Sequence, residues 1–177
     1  MITNWPHAPM HYTDGHGIYM ITAGTYHKQH YFNTGEKLSI LLKAIFACCT
    51  ESNFGMQAWS VLSNHYHFVV LLSDHSAPLK KLINKINMTT ARAVNEKDGT
   101  PGRRVWFQYW DSKITYEKSY LARLNYINNN PVHHNIVKKA VDYPYCSAAW
   151  FENTSDKVFC KTVASFKTDK VNVIDDF

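Results

Sequence analysis

Two histidines separated by one residue lie in an apolar segment, His65-Tyr66-His67 within NHYHFVVLL. Side chains alternate along a strand, so both imidazoles share one face and can reach one cation. A bare pair of this kind is more often two polar strand residues that each find a hydrogen bond, and that alternative stays open. An apolar strand is nevertheless an unfavourable place for two imidazoles.

The segment RLNYINNNP contains a second group of residues that could take part in a reaction. Its helical spacing sorts the side chains onto two faces. The apolar face contains Tyr120, Leu121, Leu124 and Ile127. A separate face contains Ser119, Arg123, Tyr126 and Asn130. We therefore expect Tyr126 to lie outside the hydrophobic core. The carboxamide of Asn130 lies one turn further on. That oxygen could complete a two-histidine site for Mg²⁺ or Mn²⁺. A surface tyrosine with a capping asparagine is the alternative.

Basic side chains form two further groups. Lys81, Lys85 and Arg92 line one face of a predicted helix, where they can contact phosphates or simply be solvated. Arg103 and Arg104 stand beside aromatic residues that include Trp106, a mixture that can stack unpaired bases and hold phosphates. Alternate aromatic residues in a strand can equally fill a core.

Composition limits the class of protein. The 177 residues are 45% hydrophobic and 14% aromatic, which fits one folded domain, and the net charge of +5 favours an acidic partner such as nucleic acid. The four cysteines include no C-x-x-C pair, which favours a reducing compartment. The N-terminus has no signal-peptide pattern, and the longest apolar run is too short for a bilayer. We expect a cytoplasmic protein with no membrane partner.

The order of predicted elements is β-α-β-β-α-β followed by one more helix. Periodicity and turn residues place the strands at 17–25, 57–62, 66–72 and 105–115 and the helices at 36–52, 77–97 and 117–130. Pro131 is expected to end the last helix. This order is the ferredoxin-like α+β arrangement, an antiparallel sheet covered on one face by two helices, with the tyrosine on an extra C-terminal helix. We expect one domain over 1–177, with a core at about 17–151 and an irregular tail over 152–177.

Together these segments resemble the REP-associated tyrosine transposases, a branch of the single-tyrosine HUH transposases. The matching stretches are ITAGTYHKQHYF, QAWSVLSNHYHFVVLL, TARAVNEKDGTPGRRVWFQYWDSKITY, YLARLNYINNNPVHHNIV and DYPYCSAAWF. They run in the family's order from Ile21 to Phe151, and NHYHF followed by Tyr-Ile-x-x-Asn-Pro is a specific pairing. The resemblance implies that His65 and His67 bind a metal, that Tyr126 is the nucleophile, and that Asn130 is the third ligand.

The chain departs from the family after the Asn-Pro pair. The family often has Lys-His-Gly where this chain has His133-His134-Asn135. Asparagine tolerates the left-handed backbone that glycine supplies, so the turn is expected to survive. Loss of the lysine weakens a phosphate contact at this position. Arg123, His133 and His134 join the predicted DNA-binding residues.

The resemblance implies metal-dependent cleavage and rejoining of single-stranded DNA through a 5′-phosphotyrosine link, and transposition at palindromic hairpins. The expected partner is single-stranded or hairpin DNA, here repetitive extragenic palindromes, bound by a monomer or homodimer. Two alternatives belong to other classes. One is a domesticated protein that binds hairpin DNA or RNA without cutting it, and the other is a metal-dependent phosphoesterase that uses water as the nucleophile.

Overall fold

The fold is described by a computed structural model over residues 16–73 and 76–171. The N-terminal stretch 1–15, from which the lack of a signal peptide was predicted, lies outside the described residues, as does the end of the predicted tail at 172–177. Among the helices that are described, each is too short or too polar to cross a membrane.

Four antiparallel strands form one sheet in the order β2-β3-β1-β4. The strands are β1 (Gly17–Thr25), β2 (Phe54–Val61), β3 (His65–Leu72) and β4 (Trp106–Ile114). The helices are α1 (Gly35–Glu51), α2 (Leu79–Lys97), α3 (Glu117–His133), α4 (Ala148–Thr154) and α5 (Lys157–Ser165). The predicted ferredoxin-like order is confirmed, with every predicted strand and helix present. Strand β2 begins three residues earlier than predicted, because a register shift between Met56 and Ala58 interrupts its alternation.

The alternation of side chains along the strands divides the core into two clusters. One face of the sheet packs against α1 and α2, with Ile21 and Phe68 both fully buried there. The opposite face packs against α3, whose Leu124 and Ile127 are 1% and 0% exposed. Burial of each such side chain contributes about 1.5–3 kcal/mol. Two helices therefore cover one face, as predicted, and the helix that carries Tyr126 covers the other.

The C-terminal part is more regular than predicted. Helices α4 and α5 replace the expected irregular chain, and α5 begins where the carboxylate of Asp156 accepts hydrogen bonds from two backbone amides. Before them, the chain runs beside edge strand β2, with the Val61 amide donating to the Tyr145 carbonyl at 3.0 Å and the Ser147 amide to the Trp59 carbonyl at 2.8 Å. This segment protects the sheet edge.

The prediction that Pro131 ends α3 at Asn130 is wrong, because the helix continues to His133. A proline lacks only its own amide hydrogen, and close to a helix end that loss removes a single bond. The end is closed by a Schellman arrangement, in which the Ile136 amide donates to the Pro131 carbonyl at 2.9 Å. Asn135 has a φ of 56°, so the expected left-handed asparagine is confirmed.

Candidate active site

His65 and His67 lie at the start of β3 on the face covered by α3. Both side chains are buried, at 1% and 0% exposure, and their ring centroids are 5.1 Å apart. The sheet register places Thr22 of β1 and Ser60 of β2 on either side of His67. The predicted sharing of one strand face is therefore confirmed.

The ring of His65 is oriented by Asn64. The distance from His65 Nδ1 to Asn64 Oδ1 is 2.8 Å, and the Asn64 amide nitrogen donates to the Lys28 carbonyl at 3.3 Å. Because that nitrogen is used by Lys28, the carboxamide oxygen of Asn64 faces the imidazole and accepts from Nδ1–H. The lone pair of His65 then lies on Nε2, the nitrogen that can bind a metal.

His67 is oriented in the same way by a hydroxyl group. Its Nδ1 lies 2.7 Å from Thr22 Oγ1 across the β1–β3 pair. In the tautomer in which Nδ1–H donates to the threonine oxygen, the lone pair lies on Nε2. Metal-binding histidines in proteins commonly donate their second ring nitrogen to such a partner, and both rings here have one.

Helix α3 brings Tyr126 against the histidine pair. The Tyr126 and His67 rings meet edge to face, with centroids 5.7 Å apart and planes at 78°. Tyr126 is only 8% exposed and belongs to the second core cluster. The expectation that it lies outside the core is therefore wrong. The ring contributes to packing while its position places a phenol beside the imidazoles.

Asn130 is fully buried one turn beyond Tyr126. Its Oδ1 accepts a hydrogen bond from Ser60 Oγ at 3.3 Å, which holds the carboxamide against β2. A carboxamide oxygen has two lone pairs, so it can accept this bond and still face a cation. Within the described part of the chain, no three His, Cys, Asp or Glu side chains form a metal-binding group. Two imidazole nitrogens and one carboxamide oxygen are the donors of this site that could hold a hard divalent cation.

His133 and His134 lie at the end of α3, on the same side as the pair. The His133 ring is 5.7 Å from the Tyr126 ring, and the His134 ring is 4.8 Å from the His65 ring. Burial, then the charges of His65 and His133, lower the pKa of His134 to about 4. At neutral pH its imidazole is uncharged, so it would meet a phosphate as a neutral hydrogen-bonding group.

The predicted basic stripe lies elsewhere. Lys81, Lys85 and Arg92 belong to α2, which covers the face of the sheet opposite the histidines. Lys85 is also ion-paired with Glu51. These residues can meet DNA only on the side of the sheet away from Tyr126.

The two arginines before β4 have different surroundings. Arg103 is held by Asp98 at 2.7 Å and by Asn95 at 2.9 Å. Arg104 is exposed, with its guanidinium carbon 4.4 Å from the Tyr26 ring centroid and 5.7 Å from that of Phe107. Arg104 is therefore the one of the pair that is placed to meet a nucleic acid.

Trp106 belongs to the core. It is 9% exposed, its indole N–H donates to Thr90 Oγ1 at 3.0 Å, and its ring stacks on Phe32. This placement does not support the predicted contact with DNA bases. Arg123 of α3 is half-buried, and its described hydrogen bonds go to Ser119.

Comparison with known proteins identifies a family. A family model described as "Transposase IS200 like" matches residues 16–130, and the chain belongs to this family. It is 27% identical over 107 residues to the REP-associated tyrosine transposase of Escherichia coli (strain K12), a match that covers 60% of this chain. The matched part spans 61% of the length of that relative.

A solved structure shares the fold. The REP-associated tyrosine transposase bound to a REP hairpin superposes with a TM-score of 0.71 and 21% identity, over 84% of this chain and 87% of that one. The similarity includes the α+β architecture described above.

The residues that sequence reasoning missed are Thr22, Ser60 and Asn64, which orient the predicted site residues. Only Asn64 had a signal, since it directly precedes the histidine pair in the hairpin.

Proposed function

We propose that this chain cleaves and rejoins single-stranded DNA, with Tyr126 as the nucleophile beside a divalent metal. One observation carries the proposal: the Tyr126 ring lies 5.7 Å from the ring of His67, which is distant in sequence. The tyrosine thus joins two imidazoles whose Nδ1 atoms already have partners. Membership of the IS200-like transposase family supports the same reaction class.

The roles of the residues follow from their atoms. The Tyr126 oxygen attacks the scissile phosphorus, a new phosphorus–oxygen bond forms, and the bond to the 3′ oxygen breaks. The 5′ end remains linked to Tyr126 as a phosphodiester, so a free 3′ hydroxyl can reverse the step without ATP. When held by His65, His67 and Asn130, Mg²⁺ or Mn²⁺ supplies electrophilic polarisation of the phosphate.

The proposed substrate is a palindromic hairpin with an unpaired flank. The solved structure that shares the fold is a REP-associated tyrosine transposase bound to a REP hairpin. We propose that this chain likewise acts at repetitive extragenic palindromes, where cutting and rejoining would produce DNA transposition. The net charge of +5 supports a polyanionic substrate.

An aromatic and basic surface near the site supports binding of the unpaired flank. Gly24 pairs with His65, and the Tyr26 amide donates to the Val105 carbonyl at 2.7 Å, so Tyr26 and the start of β4 lie at the histidine end of the sheet. Arg104 stacks on Tyr26 at this place. Aromatic rings with a guanidinium group are suited to unpaired bases and their phosphates.

The test is the covalent adduct. The protein is incubated with Mn²⁺ and a single-stranded hairpin oligonucleotide from the flanks of its own gene, labelled on the 3′ side of the cut. Wild type should give a slowly migrating protein–DNA band on a denaturing gel, and Tyr126→Phe should give none, because it removes only the nucleophilic oxygen. Tyr120→Phe is the matched control on α3, since the Tyr120 hydroxyl instead donates to Gln57 at 3.1 Å.

The outcomes separate the three readings. A band that persists in Tyr126→Phe shows that another tyrosine is the nucleophile. Cleavage by wild type without any band shows that water attacks, as in a phosphoesterase. Tight binding without cleavage shows a domesticated binding protein.

A further inference from the structure

His133 lies in the last turn of α3, two turns beyond Tyr126 and on the same face of the helix. Its ring centroid is 5.7 Å from that of Tyr126, and the planes are tilted by 50°. The side chain of His133 is exposed, whereas the Tyr126 ring is almost fully buried. Tyr126 therefore lies between a buried imidazole, His67, and one that reaches solvent.

The neighbouring imidazoles have other contacts. His67 contacts Thr22 through Nδ1 and is a proposed metal ligand. The ring of His134 packs on His65 at 4.8 Å, on the metal side of the site. His133 contacts the Tyr126 ring and is not one of the proposed metal ligands.

We infer that His133 is the general base that accepts the phenolic proton of Tyr126 during strand cleavage. This inference rests on the proposed function and adds a catalytic residue to it. Proton transfer requires a His133 ring nitrogen to come within hydrogen-bond distance of the phenol oxygen, and such hydrogen bonds commonly tighten only when substrate is bound.

The proton and bond balance is complete. The proton of the Tyr126 hydroxyl moves to an imidazole nitrogen of His133 as the tyrosine oxygen bonds to phosphorus. The bond from phosphorus to the 3′ oxygen breaks, and that oxygen takes a proton from water. The His133 imidazolium then releases its proton to solvent, so cleavage consumes no net proton. Rejoining follows the same path in reverse.

The surroundings of His133 suit this role. Because the side chain is exposed, its proton can exchange with bulk water between turnovers. A base at the nucleophile contributes typically about 10²–10⁴-fold to the rate.

The experiment measures single-turnover adduct formation near pH 7 with Mn²⁺ and the labelled hairpin oligonucleotide. With saturating oligonucleotide, His133→Ala should form the adduct about a hundredfold more slowly or worse, while its thermal stability stays close to wild type. Added imidazole should restore the rate of this variant, and more basic substituted imidazoles should restore it further. A purely structural role would not respond to added bases.

His133→Gln is the matched variant, because glutamine keeps a polar side chain that can contact a phosphate but takes up no proton near pH 7. It should be as slow as His133→Ala. A His133→Gln protein as fast as wild type would show a polar contact and overturn the inference. A fully active His133→Ala would overturn it alone, whereas a wild type that never forms the adduct would overturn the proposed function as well.

Discussion

His65 and His67 are oriented by different kinds of partner, although they share a strand face. Asn64 is the neighbour of His65 in the hairpin, whereas Thr22 reaches His67 across a strand pair. Thr22 is 3% exposed, so water cannot replace its hydroxyl readily. Removing the hydroxyl takes this partner from the buried Nδ1 of His67, and an unsatisfied buried polar group costs about 1–3 kcal/mol.

We predict that Thr22→Val weakens metal binding without changing any proposed ligand. The side chain keeps its shape but can no longer orient the imidazole, so the Mn²⁺ dissociation constant measured by calorimetry should rise about 10–100-fold. His67→Ala gives the reference for full loss, and Thr162→Val, the same change on α5, should leave the constant unchanged. An unaltered dissociation constant in Thr22→Val would show that this hydrogen bond does not orient His67 for metal binding.

At the level of single residues, the sequence predicted the candidate reactive side chains but not the side chains that orient them. Alternation predicted that His65 and His67 share a strand face, helical spacing set Tyr126 apart from the apolar face, and the resemblance to the transposases implied their roles. Thr22 and Ser60 have no local signal, because their roles depend on the register between strands. The burial of Tyr126 was missed for a similar reason: helical spacing shows which residues share a face but not that this face lies against the sheet.

The end of α3 decides where the two terminal histidines lie. Pro131 was expected to stop the helix, yet one further turn forms and carries His133 to Tyr126. That turn is closed by the left-handed Asn135, whose amide donates to the Val132 carbonyl at 2.9 Å. A short polar residue therefore closes the turn that carries His133.

The closure can be tested by changing Asn135 alone. Asn135→Ala places an ordinary side chain at a φ of 56°, which should lower the free energy of unfolding by about 1–2 kcal/mol. Asn135→Gly should stay within about 1 kcal/mol of wild type, because glycine adopts this conformation without steric cost. Urea unfolding followed by circular dichroism measures both. Equal stability of the two variants would show that the left-handed turn contributes nothing.

The strands and the first three helices could be predicted because their hydrophobic periodicity is strong. Helices α4 and α5 were missed because each is short, and their apolar residues face different neighbours. Phe151 and Val163 pack on the second core cluster, while Trp150 and Val158 remain 42% and 74% exposed. The signal available was Asp156, a capping residue directly before the periodic residues of α5.

Over the whole molecule, the sheet separates two charged regions. The basic stripe of α2 lies on one side, where Lys85 is ion-paired with Glu51. Lys97, at the end of the same helix, is ion-paired with Glu36. The proposed active site lies on the other face, with Arg104 and the Tyr26 ring at the end of the sheet that carries His65. A positive net charge was visible in the sequence, but its division between the faces required the topology. The contribution to the salt dependence of DNA binding should therefore differ from one basic side chain to another.

We predict that Arg104 contributes more to the salt dependence of DNA binding than Lys85 does. Affinity for the single-stranded hairpin oligonucleotide should fall with salt in a linear log–log plot, because phosphate contacts release counterions. If Arg104 holds one phosphate, Arg104→Ala should reduce the slope by about 0.7–0.9. Lys85→Ala, the control on the opposite face, should leave the slope unchanged, since its ammonium already has a carboxylate partner.

The two properties of Arg104 can be separated in the same titration. A loss of affinity with an unchanged slope would show that its stacking with Tyr26 supports bases and that no phosphate is held. A larger change in slope for Lys85→Ala than for Arg104→Ala would place the DNA on α2, away from Tyr126. Because cleavage requires the scissile phosphate at Tyr126, that result would require the hairpin stem to wrap around the edge of the sheet.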